Sequence, residues 1–397
     1  MIYDIKAYLR GIKDAYREEA QGGLDFWAEK GMDWEKGGIV TYLDRKGDWY
    51  LDEKQGWFTG RAMYSFAKGY NDICKRGRWL DAAINLYDFL AARQFAPDGR
   101  LYYNMSREGA PCPSNPIAGQ YPAIQASLHS ESFAVMGLSE LYRATGRQDV
   151  KDTLLKVFET QQFLYRNPEY ATSGQKNAAG AQPKVPLAWL MSLLCSVQTM
   201  REALPEMADR CSTLIAEYIS EVFKYYYSEE LKTLIEGEID CPGHNMEVAW
   251  FMLAEGLYTK DQALVNRCAG IVEDIYNYGW DKEYGGLYLL VNMYNRPAFS
   301  VTGQFKYWWP NNELEIGLLY AYIGTQNPAF LEKYRKAHEW VFAHFPDRDY
   351  GEWFGYLNRD GSPISTNKGD NQKGPYHLYR SFYAMHNAIA AYLNNNS

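Results

Sequence analysis

A glycine-centred motif recurs along the chain at a nearly constant interval, and that interval limits the folds open to it. The first copies are Glu35-Lys36-Gly37-Gly38-Ile39-Val40-Thr41-Tyr42-Leu43-Asp44-Arg45-Lys46-Gly47 and Asp98-Gly99-Arg100-Leu101-Tyr102-Tyr103-Asn104-Met105-Ser106-Arg107-Glu108-Gly109. A third opens with Tyr284-Gly285-Gly286-Leu287, and a fourth is Tyr350-Gly351-Glu352-Trp353-Phe354-Gly355-Tyr356-Leu357-Asn358-Arg359-Asp360-Gly361. In three of them Arg follows the first Gly by eight positions and another Gly follows it by ten. Each reads as a Gly-opened β-hairpin: β-rich residues, then a polar turn. Gly37 and Gly99 are 62 positions apart, Gly99 and Gly285 are 186 apart, three times that, and Gly285 and Gly351 are 66 apart. One sixth of the 397-residue chain is about 66, so six copies of one unit account for the spacing.

Between the hairpins the apolar residues follow a helical period. It predicts helices over 4–29, 59–76, 79–94, 129–145, 148–165, 186–203, 207–227, 244–258, 261–278, 312–325, 328–344 and 376–394. Met63, Phe66, Ala67, Tyr70, Ile73 and Cys74 share one face of the second. Short linkers join the helices in pairs, as at Thr145-Gly146-Arg147-Gln148, and longer connections that hold the hairpins separate most pairs. Six such pairs, closed as a ring, make an all-α (α/α)6 barrel with inner and outer helices and the hairpins gathered at one end. The whole of 1–397 is then a single domain, although its length alone would allow two or three.

The net charge of −8 argues against a nucleic-acid or anionic-membrane partner. No apolar run reaches the roughly 18 residues of a membrane span. Met1 to Arg17 mixes charges throughout and reads as no signal peptide. The six cysteines form no Cys-x-x-Cys pair and read as reduced thiols of a cytoplasmic protein. With 34 Tyr, 17 Phe and 12 Trp, the chain has rings enough both for a stacked core and for a pocket against the C–H faces of a sugar.

Unusual polar residues gather at the starts of the even-numbered helices. They are Arg61 after Gly56-Trp57-Phe58-Thr59-Gly60, His129, His244 with Glu247, Glu313 after Trp308-Trp309, and His377 with Arg380. If the even helices form the inner ring, these side chains and the positive helix ends meet at one mouth. A developing oxyanion is stabilised there, and an imidazole is favoured in its neutral form. His244 and Glu247, one turn apart, are too few for a metal site by themselves. The tandem Trp308-Trp309 reads either as core or as a sugar platform. His338, His344 and His386 read as structural. The small-residue stretch Gly174 to Lys184 reads as a mobile loop rather than an anion site. No phosphate-binding loop or nucleophile elbow is present in the sequence.

Taken together, Gly56–Arg61, Pro242-Gly243-His244-Asn245-Met246-Glu247, Lys306-Tyr307-Trp308-Trp309 with Glu313, Gly351–Tyr356, and Lys373 through His377 to Arg380 resemble the N-acylglucosamine 2-epimerase family. That family includes cellobiose 2-epimerases and mannose isomerases, and its fold is an (α/α)6 barrel. The resemblance implies that His244 and His377 are the proton-transfer bases, with Arg61, Glu247, Glu313 and Arg380 as the polar shell. Trp57, His129, Trp308 and Trp309 would join Arg380 in binding substrate. It implies deprotonation at C2 of an open-chain aldose and reprotonation through an enediolate, with Glu247 fixing the tautomer of His244. No metal or other cofactor is required, and ATP, which activates some members, has no motif here. Helix 6, with Pro186-Leu187-Ala188-Trp189-Leu190-Met191, lacks the histidine expected in the disaccharide and mannose branches. This points to N-acetyl-D-glucosamine and N-acetyl-D-mannosamine as the substrate pair. The alternatives are an unsubstituted aldose such as mannose, glycoside hydrolysis by Glu247 and Glu313, and a non-catalytic sugar- or protein-binding barrel. A homodimer is the expected assembly.

Overall fold

The computed structural model describes residues 5–113, 123, 127–170, 185–294 and 300–395. The stretch Gly174 to Lys184 lies outside them. The described residues form twelve α-helices: α1 Ile5–Lys30, α2 Gly56–Lys68, α3 Gly77–Phe89, α4 His129–Thr145, α5 Gln148–Arg166, α6 Leu187–Ala203, α7 Ala208–Tyr225, α8 Pro242–Thr259, α9 Gln262–Gly279, α10 Trp308–Thr325, α11 Pro328–His344 and α12 His377–Asn395. None of these is long and apolar enough to cross a membrane.

Three of the helix–helix turns are built alike. Gly146, Lys260 and Gln326 adopt left-handed conformations that end α4, α8 and α10. The Asp261 and Asn327 side chains then cap α9 and α11 by accepting from the amides of their first turns. The even helices are buried over long unbroken runs: Phe58–Ala67 in α2, Ser130–Leu141 in α4, Asn245–Leu253 in α8 and Pro310–Leu319 in α10. Among the odd helices, α11 buries a single stripe: Phe330, Leu331, Tyr334, Ala337 and Val341. Buried runs belong to helices covered on all sides and stripes to helices with one face in water, so the two-layer expectation holds at the level of single helices.

The chain divides into two compact units. The first comprises Gly23–Glu221 with Asn367–Tyr376; the second comprises Met1–Gly22, Val222–Thr366 and His377–Ser397. In the first, α2 packs on α4 and α4 on α6, with α3 and α5 against α2 and α4. Gly60 and Gly137 set the α2–α4 approach. A methyl group on Gly60 would stand 2.4 Å from the Phe133 carbonyl carbon, and one on Gly137 would stand 2.6 Å from the Gly60 oxygen. In the second unit α10 lies between α8 and α12, with α9 and α11 behind it.

The recurring motifs make more turns than the sequence pattern alone shows. A tight turn at the first glycines is closed by the antiparallel bridges Met32–Ile39, Phe95–Leu101, Trp280–Leu287 and Pro346–Trp353. Gly37, Gly38, Gly99, Gly285, Gly286 and Gly351 all have positive φ there. The second turn, at Gly47, Gly109 or Gly361, follows ten residues later, again with positive φ.

The motif arginines explain why the pattern repeats. In the first unit Lys54 Nζ lies 2.9 Å from Asp33 and also donates to the carbonyls of Gly37 and Arg107, while Arg107 Nε lies 2.9 Å from Asp33. In the second, Lys306 lies 3.2 Å from Asp281 and donates to the Gly286 carbonyl, and Arg359 Nε lies 2.8 Å from Asp281. Each buried aspartate thus ties both ends of its own connection to the following hairpin-bearing connection, next to the helix start that its lysine precedes. Burial opposes the charge on Asp33, but hydrogen bonds from Arg107, the Lys36 amide and Lys54 outweigh it and hold its carboxyl at about 2. A depressed carboxyl contributes stability above its unfolded value, near 4, and loses it as pH falls toward 2. Asp33→Asn is therefore expected to lower stability by about 3 kcal/mol at neutral pH, because it strands the buried Lys54. Melting measured at pH 7 and pH 3 should show that gap narrowing at pH 3; an equal loss at both would refute the electrostatic account.

Candidate active site

The second unit brings seven of the residues singled out in the sequence to the amino-terminal ends of three neighbouring helices. His244 is the third residue of α8 and Glu247 the sixth; Trp308, Trp309 and Glu313 are the first, second and sixth of α10; His377 and Arg380 are the first and fourth of α12. The helices α2, α8 and α10 begin earlier than the periodicity indicated. Arg61, Glu247 and Glu313 therefore sit one turn inside their helices rather than in the first turn. The difference has a local cause. Gly56-Trp57, Pro242-Gly243 and Trp308-Trp309-Pro310 look like loop or turn sequence, yet each adopts the opening helical turn, and proline suits the first turn because its missing N–H has no helical partner there.

His377 and Glu313 form a buried dyad. His377 Nδ1 donates to Glu313 Oε1 at 2.9 Å, and Arg380 Nη2 donates to the same oxygen at 2.6 Å. The other Glu313 oxygen accepts from Trp250 Nε1 at 2.7 Å. Arg380 Nη2 also bridges to Glu247 Oε1 at 2.5 Å. Ligand atoms of Glu247, Glu313 and His377 lie within 4.8 Å of one another, a spacing compatible with a divalent cation. The Arg380 guanidinium bonds both carboxylates and supplies positive charge in that place. Two carboxylates and one guanidinium leave a net negative charge beside His377.

His244 has a different partner from the one expected. Its Nδ1 lies 3.0 Å from Glu236 Oε2, whereas Glu247 is taken up by Arg380. Burial pulls the imidazole pKa down. The Glu236 charge and hydrogen bond, with Glu247 and Asp240 adding to them, outweigh that and raise it to about 9. The helix end was expected to keep this ring neutral; the nearby carboxylate prevails because it is a full charge in direct contact.

One indole joins the two dyads. The Trp309 ring centroid is 5.2 Å from that of His244 and 5.5 Å from that of His377, tilted 30° and 38° to them. Gly243 makes room for it: a methyl group there would lie 2.6 Å from the indole. Trp308 is buried, packed edge-on against Tyr356 and His377. Of the tandem pair, then, Trp309 is the half-buried platform and Trp308 is core.

Arg61, Trp57 and His129 fall in the first unit. The Arg61 guanidinium lies over four rings, 4.1 Å from the Phe133 centroid, 4.3 Å from Trp57, 4.7 Å from Tyr376 and 5.9 Å from Phe58. His129 stacks on Phe133 at 6.3 Å. The remaining histidines are structural, as read: His338 bonds Tyr16 and Glu315, His344 lies against the Trp340 carbonyl, and His386 contacts Asn387.

Sequence reading missed Glu236 and Trp250. Trp250 follows Glu247 by three positions, so helical spacing places both on one face. Glu236 carries no such signal, because it belongs to a connection between strands.

Solved structures share this architecture. A cellobiose 2-epimerase from Bacillus thermoamylovorans superposes with a TM-score of 0.80 at 19% identity, over 95% of this chain and 99% of that one. A D-mannose isomerase gives a TM-score of 0.76 at 15% identity, over 98% of this chain and all of the other. The fold is thus the (α/α)6 barrel that the repeat foretold. A family model described as N-acylglucosamine 2-epimerase matches residues 37–381, and the chain belongs to that family. Human N-acylglucosamine 2-epimerase is 29% identical over 407 aligned positions, covering 97% of this chain and 92% of the human one. A cellobiose 2-epimerase from Dictyoglomus turgidum is 20% identical over 378 positions, covering 89% of this chain and 92% of its own.

Proposed function

We propose that this protein is an isomerase that interconverts N-acetyl-D-glucosamine and N-acetyl-D-mannosamine by proton transfer at C2 of the open-chain sugar. The observation that carries the reading is the pair of imidazoles, each with its own carboxylate, flanking the single indole of Trp309. One imidazole takes the C2 proton, and the C–H electron pair becomes the C1–C2 double bond of an enolate with its charge on O1, the acetamido nitrogen staying on C2. The other imidazolium returns a proton to the opposite face of C2. His244, protonated at neutral pH, is the resting acid, which leaves the part of the base to His377. With each Nδ1 directed at a carboxylate, the transfer falls to Nε2 in both rings. Helix amino-termini favour the oxyanion. One proton leaves C2 and another replaces it, so the sugar keeps its composition and oxidation state, and the step needs no cofactor.

Two further points support the N-acyl substrate over the alternatives. The N-acylglucosamine 2-epimerases are more similar in sequence than the cellobiose 2-epimerases, at 29% against 20% identity. The residues Leu187, Trp189, Leu190 and Met191 of α6 are buried and apolar, with no histidine among them. Glycoside hydrolysis fits poorly, because Arg380 engages both carboxylates that would have to serve as acid and base. The reading extends to a cytoplasmic homodimer, and the six free thiols support a reducing compartment.

Proton NMR of the enzyme with N-acetyl-D-mannosamine in deuterium oxide, with mannose in parallel, tests this directly. The expected result is N-acetyl-D-glucosamine deuterated at C2, with mannose unchanged. Exchange with mannose alone would transfer the assignment to an unsubstituted aldose.

A further inference from the structure

Glu236 is held more firmly than its place in a connection indicates. It lies between β4 (Thr233–Leu234) and β5 (Ile239–Asp240); β4 pairs with β3 (Tyr227–Ser228), and β5 with β6 (Val291–Asn292), as β1 (Lys54–Gln55) pairs with β2 (Asn104–Met105) in the first unit. The connection is pinned at both ends. Ile235 N–H donates to the Tyr226 carbonyl at 2.9 Å, and Met293 N–H to the Glu238 carbonyl at 3.0 Å. Glu236 itself is anchored through its backbone: its N–H donates to Asp240 Oδ1 at 2.8 Å. Asp240 Oδ2 accepts from Asn245 Nδ2 at 2.5 Å and from the Tyr278 hydroxyl at 3.2 Å. Asn245 also donates to the Leu234 carbonyl at 2.8 Å and immediately follows His244 in α8. A buried network thus fixes the Glu236 backbone relative to the start of the helix that bears His244, and the Glu236 carboxylate reaches His244 Nδ1 at 3.0 Å.

We propose that Glu236 is the positioning residue of His244: it holds the Nδ1–H and turns Nε2 toward the substrate, as Glu313 does for His377. This rests on the epimerase reading and adds to it a residue that acts through another. The two dyads differ in exposure. The His377 and Glu313 side chains are 9% and 0% exposed, whereas those of His244 and Glu236 are 33% and 27% exposed. Glu236 is therefore the member that can be altered without stranding a buried charge. The charged groups that bear on His244 are Glu236 from the connection, Asp240 from β5 and Glu247 from α8, and Glu236 is the one in hydrogen-bond contact.

The test compares the full-length enzyme with Glu236→Gln and Glu236→Asp. The His244 ring is titrated by NMR, and turnover of N-acetyl-D-mannosamine is followed across pH. In Glu236→Gln, the His244 titration is expected to move down by more than one pH unit. Its kcat is expected to fall about 10- to 100-fold, the range found for lost outer-shell partners, with KM within about threefold. The alkaline limb of the kcat profile should shift in the same direction, and Glu236→Asp should recover most of both effects. A Glu236→Gln enzyme with an unmoved His244 titration and kcat within about twofold of an active parent would overturn the positioning role alone. A parent enzyme silent toward the sugars would instead overturn the epimerase reading on which it rests.

Discussion

His377→Asn and His244→Asn are each expected to reduce epimerisation about 1000-fold or more, yet to leave C2 hydrogen exchange on one epimer. General acid–base groups contribute roughly 100- to 10,000-fold apiece, and inversion needs both. Exchange needs only one: a base that removes the C2 proton can return a solvent deuteron to the same face. With His377 gone, His244 and its Glu236 partner remain, and so does the Trp309 ring against His244. With His244 gone, the dyad of His377 and Glu313 remains intact. The two variants should therefore exchange deuterium into opposite epimers, read by NMR of N-acetyl-D-glucosamine and N-acetyl-D-mannosamine in separate tubes. Exchange into the same epimer by both variants would defeat the assignment of one imidazole to each face.

Much of this site was legible in the residues because its parts obey local rules. Helical period located all twelve helices, and the starts of the even ones carried the polar residues. What stayed hidden depends on distance along the chain. The contacts of Asp33 with Lys54 and Arg107 join residues 21 and 74 positions apart, as do those of Asp281 with Lys306 and Arg359 at 25 and 78. The pattern showed the arginines recurring but not what they bind. Glu236 was masked by its surroundings: Glu236-Gly237-Glu238 reads as a solvated turn, and only the pairing of β5 with β6 and the Asp240 network bring it to His244. The partner exchange has the same origin. Glu247 is one helical turn from His244 and so looked like its partner, but Arg380, from a helix more than 130 positions later, claims it. A full positive charge between two carboxylates prevails over a neighbour at helical spacing.

Arg380→Met should be the most damaging single change to stability at this site. Arg380 Nη2 holds Glu247 at 2.5 Å and Glu313 at 2.6 Å, all three side chains being nearly inaccessible. Removing the cation leaves two buried carboxylates within 4.8 Å of each other and of His377. Breaking a buried ion pair from one side costs about 3–5 kcal/mol. The system answers by protonation: like charges so close raise the pKa of one carboxylate in the folded state. A group with a raised folded pKa stabilises the fold when protonated, below that pKa, and ceases to do so as pH rises through it. The Arg380→Met enzyme should therefore melt well below the parent at pH 8 and approach it as the pH is lowered toward 5. Glu247→Gln placed on top of Arg380→Met removes one of the two charges and should recover a large part of the lost stability at pH 8. Turnover should stay low in both, since Glu313 still lacks the donor that shares its oxygen with His377. Melting curves across pH for the single and double variants decide the matter. If Arg380→Met melts with the parent at pH 8, or Glu247→Gln adds to its loss, the guanidinium is not what holds these two carboxylates together.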